Sequence, residues 1–157
     1  MRLDDALQAA EVVDLGLDTA PIIYLIEANP RYDALVTEIF SQIAAGLLKG
    51  ITSTITLTEV LAQPLQHGNV ALQQEYRDLL LQSEHLHLIA IDAPIAELAA
   101  DLRARYRLRT PDALQIAAAI NQGCEAFLTN DTGLRRVTEL PILVLDDLEL
   151  GRDETDR

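Results

Sequence analysis

The sequence holds a single cysteine, Cys124, with seven glycines and six prolines in 157 residues. One cysteine excludes an internal disulfide, and with it the small secreted scaffolds that depend on such bridges. So few glycines and prolines exclude collagen-like and low-complexity chains. No apolar run reaches about 18 residues without a charge, so no membrane-spanning helix is expected. The chain opens with Asp4, Asp5, Glu11 and Asp14, an acidic start unlike a secretory signal, and a cytoplasmic protein is expected. Cations are scarce as well. Lys and Arg total 12 against 25 Asp and Glu, a net charge of −13. That balance argues against a nonspecific nucleic-acid coat, which needs a broad basic face. It leaves room for a metal-dependent nuclease, which must collect carboxylates and can contact phosphate locally. A basic partner, or solubility alone, would suit the same charge.

What is present is 49% hydrophobic and 24% charged sequence, enough for one domain with a real core. The expected domain is 1–157, with residues 1–11 a polar helical lead-in and 151–157 a flexible charged tail. Val12, Val13, Leu15 and Leu17 form a first strand ending at Asp18. Pro21 opens a helix to about Glu27, broken by Asn29-Pro30. From Tyr32 to Lys49 the apolar residues recur at helical spacing, with Gly50 as the stop. Ile51–Ile55 is β-branched and predicts a second strand, followed by a helix over 57–65 and a break over 64–68. A helix is expected over 70–83 and a third strand over 86–90. Asp92 caps a helix to about Tyr106. Thr110 as N-cap and Pro111 at the first position start another, ending near Asn121. Short strands close the chain at 126–128 and 142–145. This alternation, with connections too long for hairpins, predicts an α/β domain with a largely parallel sheet.

The acids then fall in a telling way. Asp18 closes the first strand, Glu59 follows the second, and Asp131 comes three residues after the strand ending at Leu128. In an open parallel sheet these strand ends share one edge, where ligand crevices form. Asp112, near the start of the Thr110-Pro111 helix, can face the same crevice. A like-charge pair about 4 Å apart costs on the order of 4 kcal/mol at an effective dielectric near 20. Such a cluster persists if cations share it or if pKa values rise. Oxygen-only ligands suit Mg²⁺ or Mn²⁺, and the matching chemistry is phosphodiester hydrolysis. Each acid also has a structural explanation. Asp18 suits a turn, Glu59 completes a capping box with Thr56, Asp112 complements a helix dipole, and Asp131 lies in turn-forming sequence.

Other chemistries find no support. No P-loop, Rossmann fingerprint or nucleophile elbow occurs. A HAD-type phosphatase would need Asp at position 20, where Ala20 stands, and a receiver domain would need a late lysine, whereas the only lysine is Lys49. His85 and His87 lack a third zinc ligand.

Leu17–Glu27, Thr54–Val60, Arg109–Ala119 and Phe127–Asp131 together resemble the PIN-domain family, and within it the VapC-like toxin ribonucleases. The Thr-Pro-Asp-Ala-Leu-x-Ile-Ala-Ala segment at Thr110–Ala118 is the most specific piece. The resemblance implies a three-layer α/β/α fold with strand order 3-2-1-4-5. It implies an acidic quartet at Asp18, Glu59, Asp112 and Asp131, with Thr129 at the family's hydroxyl position. Asp18, Asp112 and Asp131 would be metal ligands, Glu59 a general-base or supporting carboxylate, and Mg²⁺ or Mn²⁺ the cofactor for RNA cleavage. A small antitoxin and a homodimer are the partners it implies. One departure is Ala20, where the family often has a polar residue. Arg103, Arg105, Arg107 and Arg109 lead into Asp112 and are candidate phosphate contacts, or else a solvated helix end. The alternative to a nuclease is a non-catalytic PIN-like module that binds nucleic acid or protein.

Overall fold

Strand-forming and helix-forming segments alternate along the chain, and the computed structural model, which describes residues 1–151, turns that alternation into a layered sheet. The elements are α1 (Leu3–Ala9), β1 (Asp14–Leu17), α2 (Thr19–Ile26), α3 (Asp33–Ala44), β2 (Lys49–Ser53), α4 (Thr54–Gln66), α5 (Val70–Gln82), β3 (Leu86–Ile89), α6 (Ala93–Tyr106), α7 (Thr110–Asn121), β4 (Ala126–Thr129) and β5 (Ile142–Val144). Short 3₁₀ turns cover Thr132–Arg136 and Leu145–Asp147. The expected tail, apart from Gly151, lies outside the described residues. No helix among the described residues is long and apolar enough to cross a membrane.

The sheet order is β3-β2-β1-β4-β5, and every pairing is parallel. This is the expected 3-2-1-4-5 arrangement. Side chains alternate across the strands, so the sheet divides two cores. Leu15, Leu17, Ala126 and Leu128 face one core, with Ile22, Val36, Ile39, Val60 and Tyr76 from α2 to α5. Ile51 and Phe127 face the other, with Ile95, Leu102, Ala113 and Ile116 from α6 and α7. Gly16 in β1 is required by close approach. A Cβ there would stand 2.7 Å from the Ala119 Cβ and 2.9 Å from the Phe127 ring. Its absence lets α7 settle against the middle of the sheet, which fixes where Asp112 at the start of α7 ends up.

Several boundaries differ from expectation, each for a local reason. Helix α3 ends at Ala44 rather than Lys49, because the chain turns at Gly46 with φ +76. Gly50 is therefore a strand residue and not a helix stop. Helix α4 starts at Thr54, capped by the Ser53 hydroxyl, which accepts from the Ile55 N–H at 3.2 Å. The helix also runs through Pro64. The Pro64 carbonyl accepts from the Asn69 N–H at 2.9 Å and the Gln73 amide at 3.2 Å, which holds the turn together. The lead-in is helical, but one face of it is packed rather than polar. Leu3, Ala6 and Leu7 of α1 are buried, and the Leu3 N–H donates to the Glu149 carbonyl at 2.8 Å.

Candidate active site

The carboxyl ends of β1, β2 and β4 lie side by side, and the polypeptide leaves each of them toward a helix or turn carrying an acid. Asp18 follows β1 and caps α2, its Oδ1 accepting from the Thr19 N–H at 2.9 Å. Glu59 lies in the second turn of α4. The capping-box reading of Glu59 fails because Ser53, not Thr56, is the N-cap. Asp112 is in the first turn of α7, whose N-cap is Arg109 rather than Thr110. Asp131 follows β4 and caps the Thr132 turn, its Oδ1 accepting from the Gly133 N–H at 2.8 Å. All four line one cleft of about 320 Å³, with Thr19, Tyr24, Arg109, Thr129 and Asn130 among its walls. Ala20 lines it too, so the departure from the family pattern leaves an apolar patch inside the site. A larger groove of about 500 Å³ between α2, α3 and α5 is apolar, with Leu25, Phe40 and Leu79 in its walls. It lacks converging carboxylates and offers nothing for hydrolysis.

Thr129, the last residue of β4, ties two of the acids together. Its hydroxyl donates to Asp18 Oδ2 at 2.8 Å and accepts from the Asp131 N–H at 3.0 Å. Burial pushes the Asp18 carboxyl above its ordinary pKa, and the nearby charges of Asp112 and Glu59 push it further. The bonds from Thr129 and from the Thr19 N–H work in the opposite direction. Asp112 and Glu59, far from Asp18 in sequence, act on it because all three line one cleft.

A buried polar network sets the remaining side chains. Gln115, one turn after Asp112, receives the Ser53 hydroxyl at 2.6 Å on its carbonyl oxygen. Its amide then faces Thr56 Oγ1 at 2.6 Å and Thr19 Oγ1 at 3.2 Å. Thr52 gives its proton to the Leu17 carbonyl at 2.9 Å, so the 2.7 Å contact between Thr52 and Thr56 needs the Thr56 proton. Thr19 is left to donate to Glu59 Oε1 at 3.0 Å. With the Gln115 amide turned the other way, no proton would remain between Thr52 and Thr56. Counting protons thus fixes these directions, leaves the 3.3 Å contact between Thr19 and Thr56 without a proton, and makes Glu59 the acceptor at the end of the network.

Thr19, Ser53 and Gln115 carry no role in the sequence reading, and Thr56 enters it only as a helix cap. Gln115 did carry a signal, as a polar residue in the otherwise apolar run from Ala113 to Ile120. Thr52, Ser53, Thr54 and Thr56 were similarly visible as hydroxyls crowding a strand end. Asn130 also belongs to the wall. Its amide donates to the Tyr24 hydroxyl at 3.2 Å while its buried Oδ1 has no partner.

The arginine run divides. Arg109 lines the cleft, and its Nε donates to Asp112 Oδ2 at 3.2 Å. Arg105 is engaged by Asp101 and Glu139. Arg103 gives its Nε–H to the Leu108 carbonyl at 3.1 Å. Arg107 takes the left-handed conformation that ends α6, with φ +55. The structure therefore brings one of these four cations to the acids.

The donor set fits a hard divalent cation. Among the described residues, no three Asp, Glu, His or Cys side chains form a ready-made metal group. An ion such as Mg²⁺ keeps most of its water and takes one or two protein carboxylates. Asp18 and Asp112, which line one cleft with room for water, could hold such an ion.

A family model described as PIN domain matches residues 16–140. The structure is similar to VapBC2 from Rickettsia felis bound to a promoter DNA fragment, at 19% identity and TM-score 0.65, covering 83% of this chain and 96% of that one. It is similar to a toxin–antitoxin complex from Klebsiella pneumoniae, at 25% identity and TM-score 0.60, covering 82% and 99%. It is also similar to VapC20 of Mycobacterium tuberculosis, a toxin that cleaves the sarcin-ricin loop, at 14% identity and TM-score 0.62, covering 82% and 98%. A search of curated proteins returns no match.

Proposed function

The chain belongs to the PIN domain family, and on that premise we propose that it is a divalent-metal-dependent endoribonuclease, the toxin of a type II toxin–antitoxin pair. The observation that carries this reading is the convergence of Asp18, Glu59, Asp112 and Asp131, from four separate segments, on one cleft. Asp18 and Asp112 would hold Mg²⁺ or Mn²⁺ directly, and Asp131 would hold the ion or orient its water. Such an ion supplies a more acidic water and neutralises charge building on the phosphate.

The chain's own groups do the rest. Thr129 spends its one proton on Asp18 and accepts from the Asp131 backbone, so two acids are oriented by one hydroxyl. Thr19 holds Glu59 by Oε1, which leaves the other carboxylate oxygen to accept a proton from water. Arg109 offers a guanidinium to the phosphate. The solved toxin–antitoxin complexes support a small antitoxin as partner, with Arg side chains suited to the acidic cleft. RNA as substrate and a homodimer complete the reading. The non-catalytic alternative draws on the lack of a ready-made group of three metal-binding side chains among the described residues.

Cleavage of a panel of RNAs separates the two. The nuclease reading expects cutting with Mg²⁺ or Mn²⁺, arrest by chelator, and loss in folded Asp18→Asn and Asp112→Asn proteins. If wild type and both variants are equally inert, the binding-module reading gains over the nuclease.

A further inference from the structure

Arg109 and Asp112 make a lopsided pair. The Asp112 side chain is 12% exposed and the Arg109 side chain 80% exposed. The carboxylate is held in the wall of the cleft, while the guanidinium reaches it from solvent through Nε alone at 3.2 Å. Arg109 is the cation lining the cleft among its described walls. It shares that cleft with Asp18, Glu59, Asp112 and Asp131.

A carboxylate already facing one positive charge attracts a second one less strongly. The acids in this cleft can satisfy their mutual repulsion in two ways: with the guanidinium, or with a divalent cation. Asp112 is common to both. The exposed end of Arg109 is held by one N–H of its five donors, so little has to be broken for it to leave.

We propose that Arg109 is an internal counter-ion that occupies Asp112 in the metal-free protein, gives it up when Asp112 takes a divalent cation, and then engages RNA phosphate. Metal binding and Arg109 contact with Asp112 oppose one another. Metal binding and Arg109 contact with RNA support one another, as linkage requires. Arg109 is a positioning residue on the metal side of this exchange, acting through Asp112. The RNA half of the inference rests on the nuclease reading above, whereas the metal half does not depend on cleavage.

The test uses the full chain, free of RNA, titrated calorimetrically with Mn²⁺ alone. Removing an exposed counter-charge should tighten Mn²⁺ binding in Arg109→Ala by about two- to fivefold. Arg109→Lys keeps the charge and should bind Mn²⁺ close to wild type. A role confined to propping up the fold would weaken binding rather than tighten it. The RNA half is read by anisotropy of a labelled single-stranded RNA across a salt series, with Ca²⁺ as probe ion and the RNA checked for integrity. With Ca²⁺, the salt slope of Arg109→Ala should be shallower than wild type by about 0.7, the loss of one phosphate contact. In chelator, where Asp112 holds the guanidinium, that difference should shrink.

Equal or weaker Mn²⁺ binding by Arg109→Ala overturns the exchange while leaving the nuclease reading in place. No Mn²⁺ binding by wild type or either variant overturns both. Identical salt slopes with Ca²⁺ overturn the RNA half.

Discussion

The carboxyl edge of the sheet and the body of the sheet are built from opposite materials. At the carboxyl edge, Thr19, Thr52, Ser53, Thr56, Asp112, Gln115 and Thr129 are all buried, and among the described residues only Gln73 is a buried polar residue elsewhere. The bodies of the strands and the helices behind them bury Leu15, Leu17, Ile51, Ala126, Phe127 and Leu128 instead. Apolar packing stabilises without specifying direction. A polar network does the reverse, because each proton must find its acceptor. The polar edge contributes orientation and the apolar body contributes stability. A substitution at one should leave the function of the other intact.

The sharpest test of that division is at the acids. Asp18→Asn and Asp112→Asn should reduce RNA cleavage by more than the roughly 10- to 100-fold that supporting partners of a metal ligand supply. Circular dichroism should show both proteins folded. The converse is Leu15→Ala, which empties a fully buried site in β1. It should cost about 2–5 kcal/mol in denaturant unfolding, with cleavage per folded molecule unchanged.

Gln115 tests the join between the two regions. Gln115→Leu keeps the volume but strands the Ser53 hydroxyl and removes the donors to Thr19 and Thr56. A loss of about 1–3 kcal/mol in stability is expected. Cleavage should fall about tenfold, because Thr19 no longer fixes Glu59. Stability loss with full activity would place the network in the fold alone.

The smallest effect is in pH dependence. The folded Asp18 carboxyl titrates above its ordinary value, mainly through burial, so the folded chain binds this proton more readily than the unfolded one. Ionising Asp18 therefore costs stability above the raised folded pKa. That cost disappears below the unfolded value near about pH 4. In chelator, Asp18→Asn should melt above wild type at neutral pH, and the gap should close as the pH falls toward 4. A gap that widens on acidification contradicts the assignment.

Much of this was legible in the sequence because it depends on local patterns. Short apolar runs, β-branched residues and, for β3, alternation located the strands of the sheet, and the strand-end acids fall in one cleft. Boundaries failed where two patterns overlapped. Leu47 and Leu48 continue the apolar spacing of α3, but Gly46 turns the chain before them. Thr56 and Glu59 match a capping box, yet Ser53 wins the cap because α4 starts earlier. The arginine run looked uniform in sequence. Asp101 and Glu139, the second of them 34 residues away, claim Arg105, while Arg109 alone reaches the acids. Gln115 was visible as a polar residue in an apolar helix. Its partners Ser53 and Thr19 lie 62 and 96 residues away, and no local pattern pairs them.

The most direct test of the account is an anomalous-scattering map from crystals of this protein grown with Mn²⁺. The account predicts a peak in the cleft, with oxygens of Asp18 and Asp112 coordinating the ion directly or through its water. A cleft without Mn²⁺ at saturating concentration, or a peak that neither carboxylate approaches, would contradict it.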